Sequence, residues 1–192
     1  GPQSAHLASR MRVEQILFER VPDSVALRAS IVIGARSRAF RFLVRLVERL
    51  PVLAVPGWHE NSTQPIDERD VIEFLVRAAT GDAVGGRSLD VGGPDVVTYG
   101  QLIERIRDAL LIARPTITLG GLTVTPIASR IAAVIAGERH ELIGPLMESL
   151  NTDLLVRDDD AVGLLGVRLH RLDAAIEYAL RTWEANEPLT AR

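Results

Sequence analysis

The chain contains no cysteine, which excludes disulfides, thiolate nucleophiles and cysteine-ligated zinc together. No apolar run reaches the roughly eighteen residues a membrane span requires, because Arg28, Arg130 and other charges interrupt each candidate. The amino terminus lacks a signal peptide's basic start and apolar centre, and a cytoplasmic protein is the expectation. Basic excess is missing too. The formal charge is −3 and the arginines are spread along the chain, so no basic stripe marks a nucleic-acid footprint and nucleic acid is not expected as a partner. A starting methionine is also absent. Gly1-Pro2 reads either as a protease scar or as a point inside a longer chain.

What is present is a globular composition, 47% hydrophobic and 24% charged over 192 residues, enough for one substantial core with or without a small appendage. Val13, Ile16 and Leu17 share a face of a helix expected over Met11–Arg20, with Arg12, Glu14 and Glu19 turned outward. Val25 to Ile33 is nearly continuously apolar and β-branched and reads as a strand buried on both faces, ended by Gly34. A helix over Ser37–Leu50 sets Phe40, Leu43, Val44 and Val47 on one side. "PVLAVPGW" offers a short strand, and His59–Pro65 an exposed loop. Asp67 is placed to cap a helix with Val71, Phe74, Leu75 and Ala78 on its buried stripe. "RSLDVGG" is a strand, and Thr98 caps a helix carrying Leu102, Ile103, Ile106 and Leu110. This alternation argues for an α/β fold with a parallel sheet. After Arg114 the texture changes to a strand pair or crossover around Gly120-Gly121. Helical segments follow near Ile127–Ala136, His140–Leu150 and Leu172–Trp183. A division at 114/115 is expected, with a sheet-bearing part over 1–114 and a smaller, mainly helical region over 115–192.

Local motifs exclude more than they assign. Gly92-Gly93-Pro94 is not a phosphate cradle, because the glycines are adjacent, not spaced G-x-G-x-x-G, and Pro94 removes an N–H donor. It reads as the end of a strand entering a wide turn. The four histidines, His6, His59, His140 and His170, show no i, i+4 pair for a metal. No G-x-S-x-G elbow supports a hydrolase nucleophile. Asp158-Asp159-Asp160 reads as a solvated helix start.

Taken in order, "HLASRMRVEQIL", "VALRASIVIGARSRAFRFLVRLVERLPVLAVPGW", "TQPIDERDV", "DVGGPDVVTYGQLI" and "LMESLNTDLLVRDDDA" resemble an atypical short-chain dehydrogenase/reductase of the NAD(P)H-binding branch related to extended epimerases and dehydratases. The similarity runs along essentially the whole chain. It implies a partial Rossmann-type parallel sheet with helices, plus a small, mainly helical substrate-side region, and it implies NAD(P) as cofactor. The family's glycine fingerprint has no counterpart here, so cofactor binding is contingent on a glycine-rich half lying upstream of Gly1.

The family's catalytic helix carries Tyr-x-x-x-Lys. At the matching spacing this chain has His6 and Arg10, which the resemblance makes the catalytic pair, with Arg10 also a ribose contact. Histidine exchanges protons near neutral pH, and arginine donates hydrogen bonds without titrating. Arg28, Ala29, Ser30 and Ile31 match the strand end that passes the nicotinamide, and Gln64 and Pro65 match a position near the substrate cleft. The resemblance leaves an NAD(P)-dependent oxidoreductase or epimerase-type enzyme when complete, with this chain inactive alone, beside a non-catalytic dinucleotide-binding redox sensor or assembly protein. A third reading is a fragment that binds no cofactor and associates with itself through an uncovered sheet edge. A dinucleotide and a small molecule of unknown identity are the expected partners.

Overall fold

A computed structural model describes residues 5–49, 53–55, 60–81, 85–112, 116–118, 152–157 and 160–187. The helices expected at Ile127–Ala136 and His140–Leu150 and the Gly120-Gly121 turn lie outside these residues.

Helix α1, Ala5–Arg20, begins six residues earlier than periodicity alone suggests, because Ala5, Leu7, Ala8 and Arg10 are all good helix formers. It stops before Pro22, where Val21 N–H donates to the Leu17 carbonyl at 2.8 Å and Ser24 N–H to the Val21 carbonyl at 3.0 Å. The chain then reverses into β1, Val25–Ala29.

The strand read as Val25 to Ile33 is in fact two. Strand β1 pairs in parallel with Arg87–Val91, while β2, Val32–Ile33, pairs in parallel with Ile66–Asp67. The break falls at Ser30-Ile31, where the Ile31 carbonyl accepts from Ile66 N–H at 2.9 Å and the Ser30 hydroxyl leaves the ladder for side-chain partners. Nor is β1 buried on both faces. Its first three residues are half-buried and its last two exposed.

Helix α2 is Arg38–Arg49, its Phe40 N–H accepted by the Ser37 hydroxyl at 3.3 Å. Strand β3, Leu53–Val55, pairs in parallel with Thr116–Thr118. The loop expected over His59–Pro65 contains a strand instead: β4, Ser62–Thr63, pairs antiparallel with Val97–Thr98, and Thr63 and Pro65 are buried. Strand β5, Ile66–Asp67, leads directly into α3, Glu68–Thr80, whose Arg69 N–H is accepted by Asp67 Oδ1 at 2.8 Å. On α3, Phe74 is fully buried and Val71 and Ala78 pack beside it, but Leu75 is 54% exposed and faces out.

Strand β6 is Arg87–Val91 and β7 Val97–Thr98. Helix α4, Tyr99–Ala109, starts with a full capping box, in which Thr98 Oγ1 accepts from Gln101 N–H at 3.1 Å and Gln101 Oε1 accepts from Thr98 N–H at 2.9 Å. Strand β8 is Thr116–Thr118, and α5, Asp160–Leu165, and α6, Leu172–Asn186, complete the described elements. Three of the four strand pairs are parallel, the arrangement that needs helical crossovers.

Two apolar clusters hold this frame. One joins α2, α4 and α6 through Phe40, Val44, Leu102, Ile106, Ile176 and Trp183, each large side chain contributing about 1.5–3 kcal/mol by burial. The second joins α3, α5 and β6 through Phe74, Leu89, Val91, Ala161 and Leu165. Polar ties lock the ends. Asp70, fully buried, accepts from His170 N–H at 2.8 Å and faces its Nδ1 at 2.5 Å. Glu187 accepts from Trp183 Nε1 at 2.8 Å and pairs with Arg41, whose guanidinium lies 4.3 Å over the Trp183 ring. Among the described residues no helix is long and apolar enough to cross a membrane.

Candidate functional site

In a parallel sheet, ligands gather outside the carboxyl ends of the strands. Here β1 and β6 end side by side, at Ala29 and Val91, and the chain beyond each end carries the residues singled out by sequence.

Ser30 follows β1. Its hydroxyl donates to the Leu154 carbonyl at 3.2 Å and lies 2.8 Å from Thr63 Oγ1. With its single proton committed to Leu154, Ser30 accepts from Thr63. Behind Thr63 stands Tyr99, wholly buried on the first turn of α4. Burial pushes its phenol up to about 12, and the charge of Asp153 adds to that shift.

Gln64 is a clamp. Its Nε2 donates to the Gly93 carbonyl at 2.8 Å, and its Oε1 accepts from Val156 N–H at 3.2 Å. Its backbone N–H donates to the Leu154 carbonyl at 3.1 Å, and Leu154 N–H returns to the Ser62 carbonyl at 2.9 Å. Residues 153–157 thus cross the carboxyl edge as an extended strap. Asp153 Oδ1 accepts from Ser62 N–H at 2.7 Å and Asp90 Oδ2 from Arg157 Nε at 3.1 Å.

This crossing explains the adjacent glycines. A Cβ on Gly92 would lie 2.6 Å from Val156 Cγ2, and one on Gly93 would overlap the Pro65 carbonyl oxygen. The pair is required by close packing, and neither residue has positive φ.

The structure therefore gathers Ser30, Ile31, Gln64 and Pro65 at one edge, with Thr63, Tyr99, Gly92 and Gly93. It directs Arg28 elsewhere. The Arg28 Nε and Nη2 donate to Glu14 Oε2 and Oε1 at 2.8 and 2.6 Å, and Nη1 lies 3.7 Å from Asp90 Oδ1. Ser88 Oγ donates to the same Glu14 carboxylate at 2.5 Å. Hydrogen bonding from Arg28 holds the Glu14 carboxyl below its ordinary value, against desolvation and with help from Ser88; the same bond raises Arg28. Arg28 thus spends its donors on α1.

His6 lies in the first turn of α1 and Arg10 in the second, where Arg10 is exposed. Chain direction locates this pair. The short Val21–Ser24 turn sends α1 back antiparallel to β1, with Glu14 level with Arg28. Arg10 is then about 6 Å and His6 about 12 Å further toward the carboxyl side, while β1 ends only about 3.3 Å beyond Arg28. The amino-terminal half of α1 therefore runs on past the end of β1, toward Ser30 and β2.

Sequence reading turned Glu14 outward, where the structure turns it onto the sheet, and missed Thr63, Tyr99 and Asp70. Glu14 carried a signal, since it continues the His6, Arg10 spacing by another four residues. The others carried none, because their partners come from 33 to 100 residues away along the chain.

No family model matches the chain. A curated relative, the NADH dehydrogenase [ubiquinone] 1 alpha subcomplex subunit 9, mitochondrial, of Arabidopsis thaliana, is 26% identical over 108 residues, 56% of this chain and 27% of the relative. Among solved structures, the UDP-glucose 4-epimerase of Thermotoga maritima matches with a TM-score of 0.61 at 12% identity, covering 94% of this chain and 52% of the epimerase. The UDP-glucuronic acid 4-epimerase of Bacillus cereus, solved in complex with NAD, matches at 0.59 and 16% identity, covering 90% and 50%. The ADP-L-glycero-D-manno-heptose-6-epimerase of Helicobacter pylori matches at 0.61 and 13%, covering 91% and 49%. The chain spans about half the length of these structures. Its fold is that of the extended, epimerase-like short-chain dehydrogenase/reductases, the group its motifs resemble.

Proposed function

We propose that these 192 residues form the nicotinamide- and substrate-side part of an NAD(P)-dependent oxidoreductase or epimerase-type enzyme. The observation carrying this reading is the contact of Glu14 with Arg28 and Ser88, which sets α1 against β1 with the turns of His6 and Arg10 on the side of Ala29 and Ser30. In this reading Arg10, exposed and permanently charged, donates to ribose hydroxyls, and His6 holds or releases the proton. Ala29 to Ile31 offer backbone groups to the carboxamide, with Ser30 fixed by Thr63 and Leu154. Arg28 acts through Glu14 and not on the cofactor, and Gln64 and Pro65 shape the cleft wall by holding Gly93 and the strap. When bound, the dinucleotide supplies hydride exchange; the adenosine-side grip belongs to a glycine-rich half outside this sequence.

A second reading, a non-catalytic dinucleotide-binding assembly protein, is favoured by the match to a subunit of a respiratory complex and by the absence of a Tyr-x-x-x-Lys pair. The test is calorimetry with reduced nicotinamide mononucleotide, NADH and ADP-ribose. Under the proposal the mononucleotide and NADH bind and ADP-ribose does not. Binding of none of the three rejects a nicotinamide site on this chain. Turnover separates the two readings: oxidation of bound NADPH by quinones or ketones, in the chain joined to a glycine-rich half, supports the enzyme, and binding without turnover the assembly protein.

A further inference from the structure

Among the described residues, the side chain that ties helix α1 to both β1 and β6 is the Glu14 carboxylate. None of residues 7–20 is buried, and only Leu7, Glu14 and Phe18 are half-buried. Met11, Val13, Ile16 and Leu17 all face outward. Apolar packing of that extent leaves a helix free to roll and slide. The Glu14 side chain, by contrast, is only 17% exposed and meets two strands together, Arg28 on β1 through its Nε and Nη2 and Ser88 on β6. Bidentate pairing fixes direction as well as distance.

Arg10 is about 40° round the helix from Glu14, on the inward stripe that includes Leu7 and Phe18, yet Arg10 is exposed. It is inward by phase, yet open to solvent.

We propose that Glu14 is a positioning residue, setting the rotation and height of α1 through Arg28 and Ser88 so that the turns carrying Arg10 and His6 lie toward the carboxyl end of β1. The functional part rests on the nicotinamide reading above. The staple itself does not.

The lack of cysteine allows spin labels to be placed on the full chain through Ala8→Cys and Glu104→Cys, both at exposed positions, on α1 and α4. A single narrow distance distribution is expected in the native background, broadened in Glu14→Ala and in Glu14→Gln, with hydrogen exchange in α6 unchanged as proof that the fold survives. Binding of reduced nicotinamide mononucleotide should weaken about tenfold in both variants. An unbroadened distribution in both overturns the proposal. Broadening with undiminished affinity overturns the positioning role and leaves a structural tie. Broadening in a chain whose native form binds no mononucleotide upholds the staple and rejects the nicotinamide reading.

Discussion

At the scale of single residues, the chemistry of this edge follows from which donors are already spent. Arg28 and Gln64 both match family positions near ligand, yet each donates inward, one to Glu14 and the other to Gly93. Arg10 is exposed, and arginine there is not an isolated exchange, because the sequence contains no lysine at all. An arginine offers charge and fixed donors but no proton, which leaves proton transfer in the proposed reaction to His6. Gly93 is tightly constrained by its surroundings. Since the obstacle to a Cβ is the Pro65 main chain and not a mobile side-chain tip, relief requires moving the Gln64 clamp. Gly93→Ala should cost about 2 kcal/mol, a fall in melting temperature of about 4–8 °C for a chain of this size. Gly163→Ala, where a Cβ meets nothing within 4 Å, is the control for thermal melts and should not fall.

At the scale of elements, α1 differs from α2, α4 and α6, which are attached by buried apolar faces that do not titrate. The Glu14 tie does. A carboxyl held below its ordinary value stabilises the fold above the unfolded value, and that contribution is lost as pH falls through the folded one. The native chain should therefore keep its full advantage over Glu14→Gln above the ordinary 4.5 and lose it as acid is added below that. Urea melts across this range measure the gap, and a gap constant with pH contradicts the assignment. The same contrast explains what could be read beforehand. Helices α2, α4 and α6 announce themselves by apolar period and caps, with Phe40, Leu102 and Trp183 falling inside as expected. The split of Val25–Ile33 into two strands, the strand inside the supposed 59–65 loop and the outward turn of Leu75 do not, since each depends on which distant segment arrives as partner. Ser30 leaves its ladder for Thr63 and Leu154, contacts that local sequence does not encode. Sequence could offer candidate positions at this edge, but not whether Arg28 and Gln64 face outward or donate to the scaffold, as they do here.

At the scale of the molecule, the described parallel pairs are a partial sheet. Among the described residues β1 pairs only with β6, and in the proposed arrangement a further strand pairs along its other edge. Beside it, α1 turns Val13 outward at 56% exposure, with Met11, Ile16 and Leu17 in the same helix. Neighbours of this fold are about twice as long, and in the proposed arrangement the glycine-rich half covers both surfaces. Without it, association between copies is the remaining way to remove that apolar area from water. Sedimentation velocity should therefore show an average mass that rises with protein concentration, and Val13→Glu with Ile16→Lys should lower it by charging the outward face while leaving Glu14 and its partners untouched. A species that stays monomeric across the concentration range, with a sharp cooperative melt, means that the open edge and α1 are stable in water as they stand, and the need for a completing half falls with that result.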